Sequence, residues 1–185
     1  MPIWISMLRG VNVGSHNRMK MDALRGAYES LRLADVRTYV QSGNVLFRAK
    51  QQNPAALAKK IQTAIEDTFG FRPEVILRTT EEFRGAIAAN PFAGRRDVEP
   101  AKLLVTFLAG EPGPEAEATL RGLKANPEEL HLVGRELYIY FPNGAGKSKL
   151  PWSSVERLLK VTGTARNLNS VVTMMEMAEE MERLG

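Results

Sequence analysis

Two polar stretches punctuated by glycine carry the side chains best suited to chemistry, and that chemistry is the holding of an anion. The first is Arg9-Gly10-Val11-Asn12-Val13-Gly14-Ser15-His16-Asn17, directly after the apolar run Ile3 to Leu8. Backbone N–H groups in such a loop converge readily on an anion, with Arg9 adding charge and Asn12 and Asn17 adding amides. A dinucleotide fingerprint needs G-x-G-x-x-G spacing, but Gly10 and Gly14 stand four apart, so the fingerprint fails. The plainer alternative is that these residues only shape a strand-to-helix connection.

The second stretch, Pro142 to Ser148, ends in Gly146-Lys147-Ser148 as a phosphate-binding P-loop does. The full motif requires a glycine where this chain has Phe141, and no strand ending in a magnesium-binding aspartate accompanies it. Two readings remain. Ser148 is the N-cap of the helix containing Trp152, or Gly144 to Ser148 is a basic loop that meets a phosphate without hydrolysing it. Gln41-Ser42-Gly43-Asn44 and Arg166-Asn167 with Asn169 add further amides, hydroxyls and a guanidinium, for which caps and turns are the ordinary use.

Bond-breaking chemistry finds less support. The chain has no cysteine, which excludes disulfides, thiolate metal sites and a cysteine nucleophile, and fits a reducing cytoplasm. His16 and His131 are its two histidines, far apart and read as surface or loop residues, so a histidine-rich metal site is excluded. Neither neighbours a motif serine, and Ser148 beside Lys147 and Lys149 is adjacency in sequence rather than hydrogen-bond geometry. Ile3-Trp4-Ile5-Ser6-Met7-Leu8 has the pattern of the first strand of an RNA-recognition domain. The matching third strand places Asn44 and Leu46 where stacking aromatics belong, so Trp4 is assigned to the core.

The elements that must position these groups follow from periodicity. Ile3 to Leu8 reads as a strand buried on both faces. Met21, Leu24, Tyr28 and Leu31 recur at helical spacing, and Val36–Tyr39 and Asn44–Phe47 form a hairpin around Gln41-Ser42-Gly43. Asn53-Pro54 opens a helix with Leu57, Ile61, Ile65 and Phe69 on one face, which Gly70 ends. Residues 74–78 are a strand, and Thr79 with Glu82 is a capping box for a helix that Asn90-Pro91 stops.

The pattern then recurs: a strand over 102–108, a helix with Leu120 and Leu123 inward, a hairpin turning at Gly134-Arg135, and a helix with Trp152, Val155 and Leu159. Thr162 to Asn169 reads as a short irregular or extended link. The last helix has Val171, Met174, Met177 or Ala178, Met181 and Leu184 on one face, packing as core. This order predicts an α+β fold of two ferredoxin-like (split βαβ) subdomains, an internal duplication, over 1–92 and 102–185 with a connection at 93–101. Trp4, Ser6 and Leu8 are expected on the sheet face away from the helices.

With 185 residues and 44% hydrophobic content, the chain buries a sizeable core. Its net charge of +4 divides unevenly, +5 over residues 1–99 and −1 over 100–185. A basic first half suits a phosphorylated or nucleic-acid partner as well as an ordinary surface. No apolar run reaches the ~20 residues of a membrane span, and the N-terminus lacks the features of a signal peptide.

Leu8-Arg9-Gly10-Val11-Asn12-Val13-Gly14, the helix start at Met21 to Leu24, Thr38 to Val45, Asn90-Pro91-Phe92, Gly144 to Leu150 and Thr164-Ala165-Arg166-Asn167-Leu168-Asn169 together resemble the domain of unknown function 1697 family, over nearly the whole chain. After Arg-Asn, where the family often has tryptophan, this chain has Leu168. The resemblance implies a compact cytoplasmic bacterial protein of α+β subdomains, and brings with it no activity, substrate or catalytic residue.

The residues therefore point to binding: a phosphorylated small molecule or nucleotide gripped between the two halves by Arg9, Asn12, Ser42, Asn44, Lys147 and Arg166. The alternatives are non-specific single-stranded nucleic-acid binding by the basic first half, and an enzyme acting on a phosphorylated substrate.

Overall fold

The protein is described by a computed structural model covering residues 1–50, 53–123, 125–150 and 152–185. Among the described residues it is a mixed α+β chain with six α-helices and two four-stranded antiparallel sheets. In chain order these are β1 (Ile3–Leu8), α1 (Met21–Ser30), β2 (Ala34–Tyr39), β3 (Asn44–Arg48), α2 (Pro54–Phe69), β4 (Val75–Thr79) and α3 (Thr80–Ala88). There follow β5 (Leu103–Leu108), α4 (Ala116–Arg121), β6 (Glu129–Val133), β7 (Glu136–Tyr140), α5 (Trp152–Leu159), β8 (Gly163–Asn167) and α6 (Leu168–Leu184). Two compact units result: Met1–Arg84 with Met174–Gly185, and Gly85–Thr173. Residues 93–101 fall within the second.

The first sheet has the order β2-β3-β1-β4, so the opening strand is central. All six of its residues are buried. Trp4 and Leu8 lie in one core with Leu24 and Tyr28 of α1 and Leu57, Ile61 and Ile65 of α2. Ser6, between them, shares a 2.7 Å hydroxyl–hydroxyl hydrogen bond with Tyr28. These three residues thus face the helices, which corrects the expectation that they face away. Alternation sorts a strand into two sets; when both sets are buried, it cannot say which one the helices cover.

Local signals set the element ends. Asn53 Oδ1 accepts from the N–H groups of Ala55 (2.9 Å) and Ala56 (3.2 Å), Pro54 fills the first helical position, and Gly70 closes α2 at φ 77°. Thr79 and Glu82 form a reciprocal capping box at the start of α3: Thr79 N–H donates to the Glu82 carboxylate at 2.8 Å, and Glu82 N–H to Thr79 Oγ1 at 3.2 Å.

The second sheet repeats the order as β6-β7-β5-β8. Its helix-facing core joins Leu108, Leu137, Ile139 and Phe141 to Leu120 of α4 and Val155 and Leu159 of α5. The span 162–169, expected as an irregular or extended link with room for a short strand, supplies β8, which pairs antiparallel with β5. Asn167 then caps α6, its Oδ1 accepting from Ser170 N–H at 2.9 Å. In α6 the buried face runs through Val171, Met174, Ala178 and Met181, so Ala178 rather than Met177 points inward, and Leu184 is 71% exposed.

Candidate functional site

The opening loop owes its shape to asparagine. Asn12 (φ 51°) and Asn17 (φ 50°) join Gly10 and Gly14 in the left-handed region, which asparagine enters at modest cost. Asn12 N–H donates to Asn17 O, and His16 N–H to Val13 O, both at 3.0 Å, so the loop folds into a small hairpin that uses these amides itself. The Asn12 side chain is a three-way clamp. Its Nδ2 donates to Gln41 O (2.7 Å) and Met19 O (3.1 Å), and its Oδ1 accepts from Met19 N–H at 2.8 Å. One amide thereby ties the loop, the β2–β3 turn and the approach to α1 together.

Where those three segments meet there is a groove of about 1000 Å³ lined by Asn12, Arg18, Lys20, Gln41 and Phe69, among others. The first turn of α1 forms part of its wall, and among the described residues no side chain caps that turn. Uncapped N–H groups carry a partial positive charge and favour an anion. Arg18 and Lys20 are exposed beside it, and neither pairs with an acidic side chain among the described residues. The acidic Asp22, also in the groove, is held by Arg25 at 2.5 Å. Half-buried Phe69 adds an apolar surface.

Of the residues that the sequence singled out, Arg9, Asn12, Ser42 and Asn44 belong to the first unit and Lys147 and Arg166 to the second. Among the first four, Asn12 lines the groove. Arg9 is half-buried, its backbone N–H donating to Glu74 O at 3.0 Å. Asn44 is fully buried, donating at 3.0 Å to both Tyr39 O and the hydroxyl of exposed Ser42. It shapes the β2–β3 turn and presents nothing to solvent.

In the second unit Lys147 is exposed in a 3-10 turn, Ala145–Lys147. A P-loop directs its amides at phosphate, whereas here the N–H groups of Gly144, Lys147 and Ser148 donate to Phe141 O (2.8 Å), Gly144 O (3.1 Å) and Ala145 O (3.2 Å). Ser148 is not the N-cap of α5 that its spacing suggested. Its hydroxyl donates to Glu128 at 2.6 Å and accepts from Leu150 N–H at 3.0 Å, which uses it in a local turn ahead of the helix.

Arg166 is only 7% exposed, on β8, donating from Nη1 to Thr164 Oγ1 (2.7 Å) and Ala165 O (2.9 Å). Desolvation pulls its pKa down to about 10. It has a counterpart that the sequence reading missed. Arg78 is 1% exposed on β4 and donates to Leu77 O at 3.0 Å. Arg78 lies opposite Ile5, and Arg166 opposite Val105, the third residue of β1 and β5 respectively. Each is the fourth residue of its strand, a signal visible once residues 75–79 are set against 163–167.

His16 and His131 are both exposed, and the Phe92 ring meets His131 edge-on with centroids 5.2 Å apart. Among the described residues no three His, Cys, Asp or Glu side chains are grouped to hold a metal ion. None of the described helices is long and apolar enough to cross a membrane.

A family model described as "Protein of unknown function (DUF1697)" matches residues 1–138. No curated protein matches the chain. Among solved structures it is similar to the conserved bacterial protein SP0830 from Streptococcus pneumoniae, with a TM-score of 0.68 and 25% identity, over 96% of this chain and 98% of that one.

Proposed function

Because the chain belongs to this family of proteins of unknown function, DUF1697, its chemistry has to be argued from its own residues, and we propose that it binds a phosphorylated small molecule or nucleotide in the groove at the start of α1. The observation that carries the reading is the first turn of a ten-residue helix, uncapped among the described residues, opening into that groove beside Arg18 and Lys20, neither of which pairs with an acidic side chain among those residues. A phosphate there accepts from backbone N–H groups while the two side chains supply charge. Arg18 and Lys20 thus take the part that the sequence gave to Arg9, and Asn12 and Asn44 hold the loop and turn that form the walls. Phe69 adds an aromatic side chain to the lining, which favours a nucleotide over a sugar phosphate.

Calorimetric titration with AMP and with ribose 5-phosphate tests this reading. AMP is expected to bind more tightly, Phe69→Ala to remove that advantage, and Arg18→Ala to weaken both by about 1.5–3 kcal/mol. Binding of neither compound, or binding indifferent to Arg18, would retire the proposal.

The uneven charge, +5 over residues 1–99, favours a second reading, non-specific binding of single-stranded nucleic acid by the first half. It predicts an affinity for oligonucleotides that falls steeply with salt; a salt-indifferent affinity excludes it.

We propose further that the two sheets are copies of one ferredoxin-like unit. The support is their shared strand order and the matched buried arginines, Arg78 and Arg166.

A further inference from the structure

The same correspondence exposes a difference between the sheets. Ser6 on β1 and Thr106 on β5 are both the fourth residue of their strand, both fully buried and both on the helix-facing side. Ser6 is satisfied by Tyr28 at 2.7 Å, whereas Thr106 Oγ1 has no hydrogen-bond partner among the described residues. Directly across the ladder, Ser6 faces Leu77 and Thr106 faces Ala165. In the first unit, then, tyrosine and leucine fill the space around the hydroxyl. In the second, a small residue leaves it open.

That space is a cavity of about 240 Å³, lined by Leu104, Thr106, Ile139, Phe141, Trp152 and Ala165 among others. The Thr106 methyl is turned toward Gly163, where a Cβ would come within 2.8 Å of it, and the Thr106 hydroxyl lies buried beneath the cavity lining without a partner among the described residues. Ser148 also lines the space, but its hydroxyl is engaged by Glu128 and Leu150 N–H. An apolar cavity of ~150 Å³ holds a benzene-sized molecule, and this one is larger. A buried hydroxyl without a partner costs stability, and a ligand that completes its hydrogen bond recovers that cost.

We propose that this cavity is a second binding site, independent of the groove at α1. Its ligand is a small, mainly apolar ring or short chain bearing a single hydrogen-bonding group. The apolar part packs on Ile139, Phe141 and Trp152, and the polar group meets Thr106 Oγ1.

The probes are 4-fluorophenol and 4-fluorotoluene, titrated against the full chain and followed by the ¹⁹F line width. Both are expected to bind saturably. Thr106→Val, which keeps the shape and removes the hydroxyl, is expected to weaken 4-fluorophenol by about threefold to tenfold and to leave 4-fluorotoluene within about twofold. Ala165→Leu restores the packing that Leu77 gives the first sheet; it is expected to abolish binding of both probes while raising the thermal midpoint. The circular dichroism of each variant reports whether it has folded. No saturable binding to the parent chain overturns the proposal, as does a Thr106→Val effect equal for the two probes. So does a folded Ala165→Leu variant that binds like the parent.

Discussion

Asn12 is the side chain on which the groove depends, and replacing it with alanine measures how much. The substitution deletes three hydrogen bonds, to Gln41 O, Met19 O and Met19 N–H. At about 1 kcal/mol each, less for the solvent-exposed one to Gln41, they amount to roughly 2–2.5 kcal/mol. Alanine must also hold φ at 51°, which adds about 1 kcal/mol that asparagine largely avoids. Asn12→Ala should therefore lose about 3 kcal/mol in a urea titration with the slope unchanged. Asn12→Gly, free of the backbone cost but lacking the bonds, should lose about 2. An Asn12→Ala chain within about 0.5 kcal/mol of the parent would refute the clamp, and with it the account of how the groove is built.

Other expectations are equally direct. Gly43→Ala should cost about 2–4 kcal/mol, because a Cβ would lie 2.6 Å from Val11 Cγ2 at φ 78°; Gly10→Ala, at φ 65° with nothing within 4 Å, should cost only about 1, and equal losses in urea titrations would contradict the packing argument. A double-mutant cycle of Ser6→Ala and Tyr28→Phe should return a coupling of about 1 kcal/mol, and none if their hydrogen bond contributes nothing. Arg95 holds the carboxyls of Asp97 and Glu129 below their ordinary pKa values, chiefly through its hydrogen bonds to them. Groups so depressed add stability above their unfolded pKa and lose it as pH falls through the folded one, so Arg95→Gln should lower the urea midpoint at pH 7. The gap should close as pH falls below the ordinary carboxylate range, and a gap independent of pH would contradict the assignment.

Much of the fold was written in local signals. Asn53-Pro54 with Gly70, and Thr79 with Glu82, placed helix ends because capping is chemistry between near neighbours. What sequence could not supply was whatever depends on contacts far along the chain. The facing of Trp4, Ser6 and Leu8 was misread because β1 is apolar on both sides, and it took the Ser6–Tyr28 hydrogen bond to decide it. Ser148 has the right neighbours for a helix cap, yet Glu128, twenty residues away, draws its hydroxyl elsewhere. In the candidate site the same loop came forward from sequence and from structure, on different residues. Asn12 and Asn44 looked like ligand amides, but their hydrogen bonds shape the loop and turn. Arg18 and Lys20 lay in the same stretch of sequence and drew no notice, because their value comes from the uncapped turn of α1 beside them.

The central claim, phosphate recognition at that turn, is tested most directly by thermal unfolding of the parent and of an Arg18→Ala/Lys20→Ala double variant. Each is scanned with nucleotides and sugar phosphates at low and high salt. A ligand at a hundred times its dissociation constant adds about 2.7 kcal/mol, a rise of roughly 5–10 °C for a chain of this size. The account predicts such a rise for the parent with at least one phosphorylated compound, largely kept at high salt and lost in the double variant. A parent midpoint that no phosphorylated compound moves, or a double variant that responds as the parent does, would contradict it.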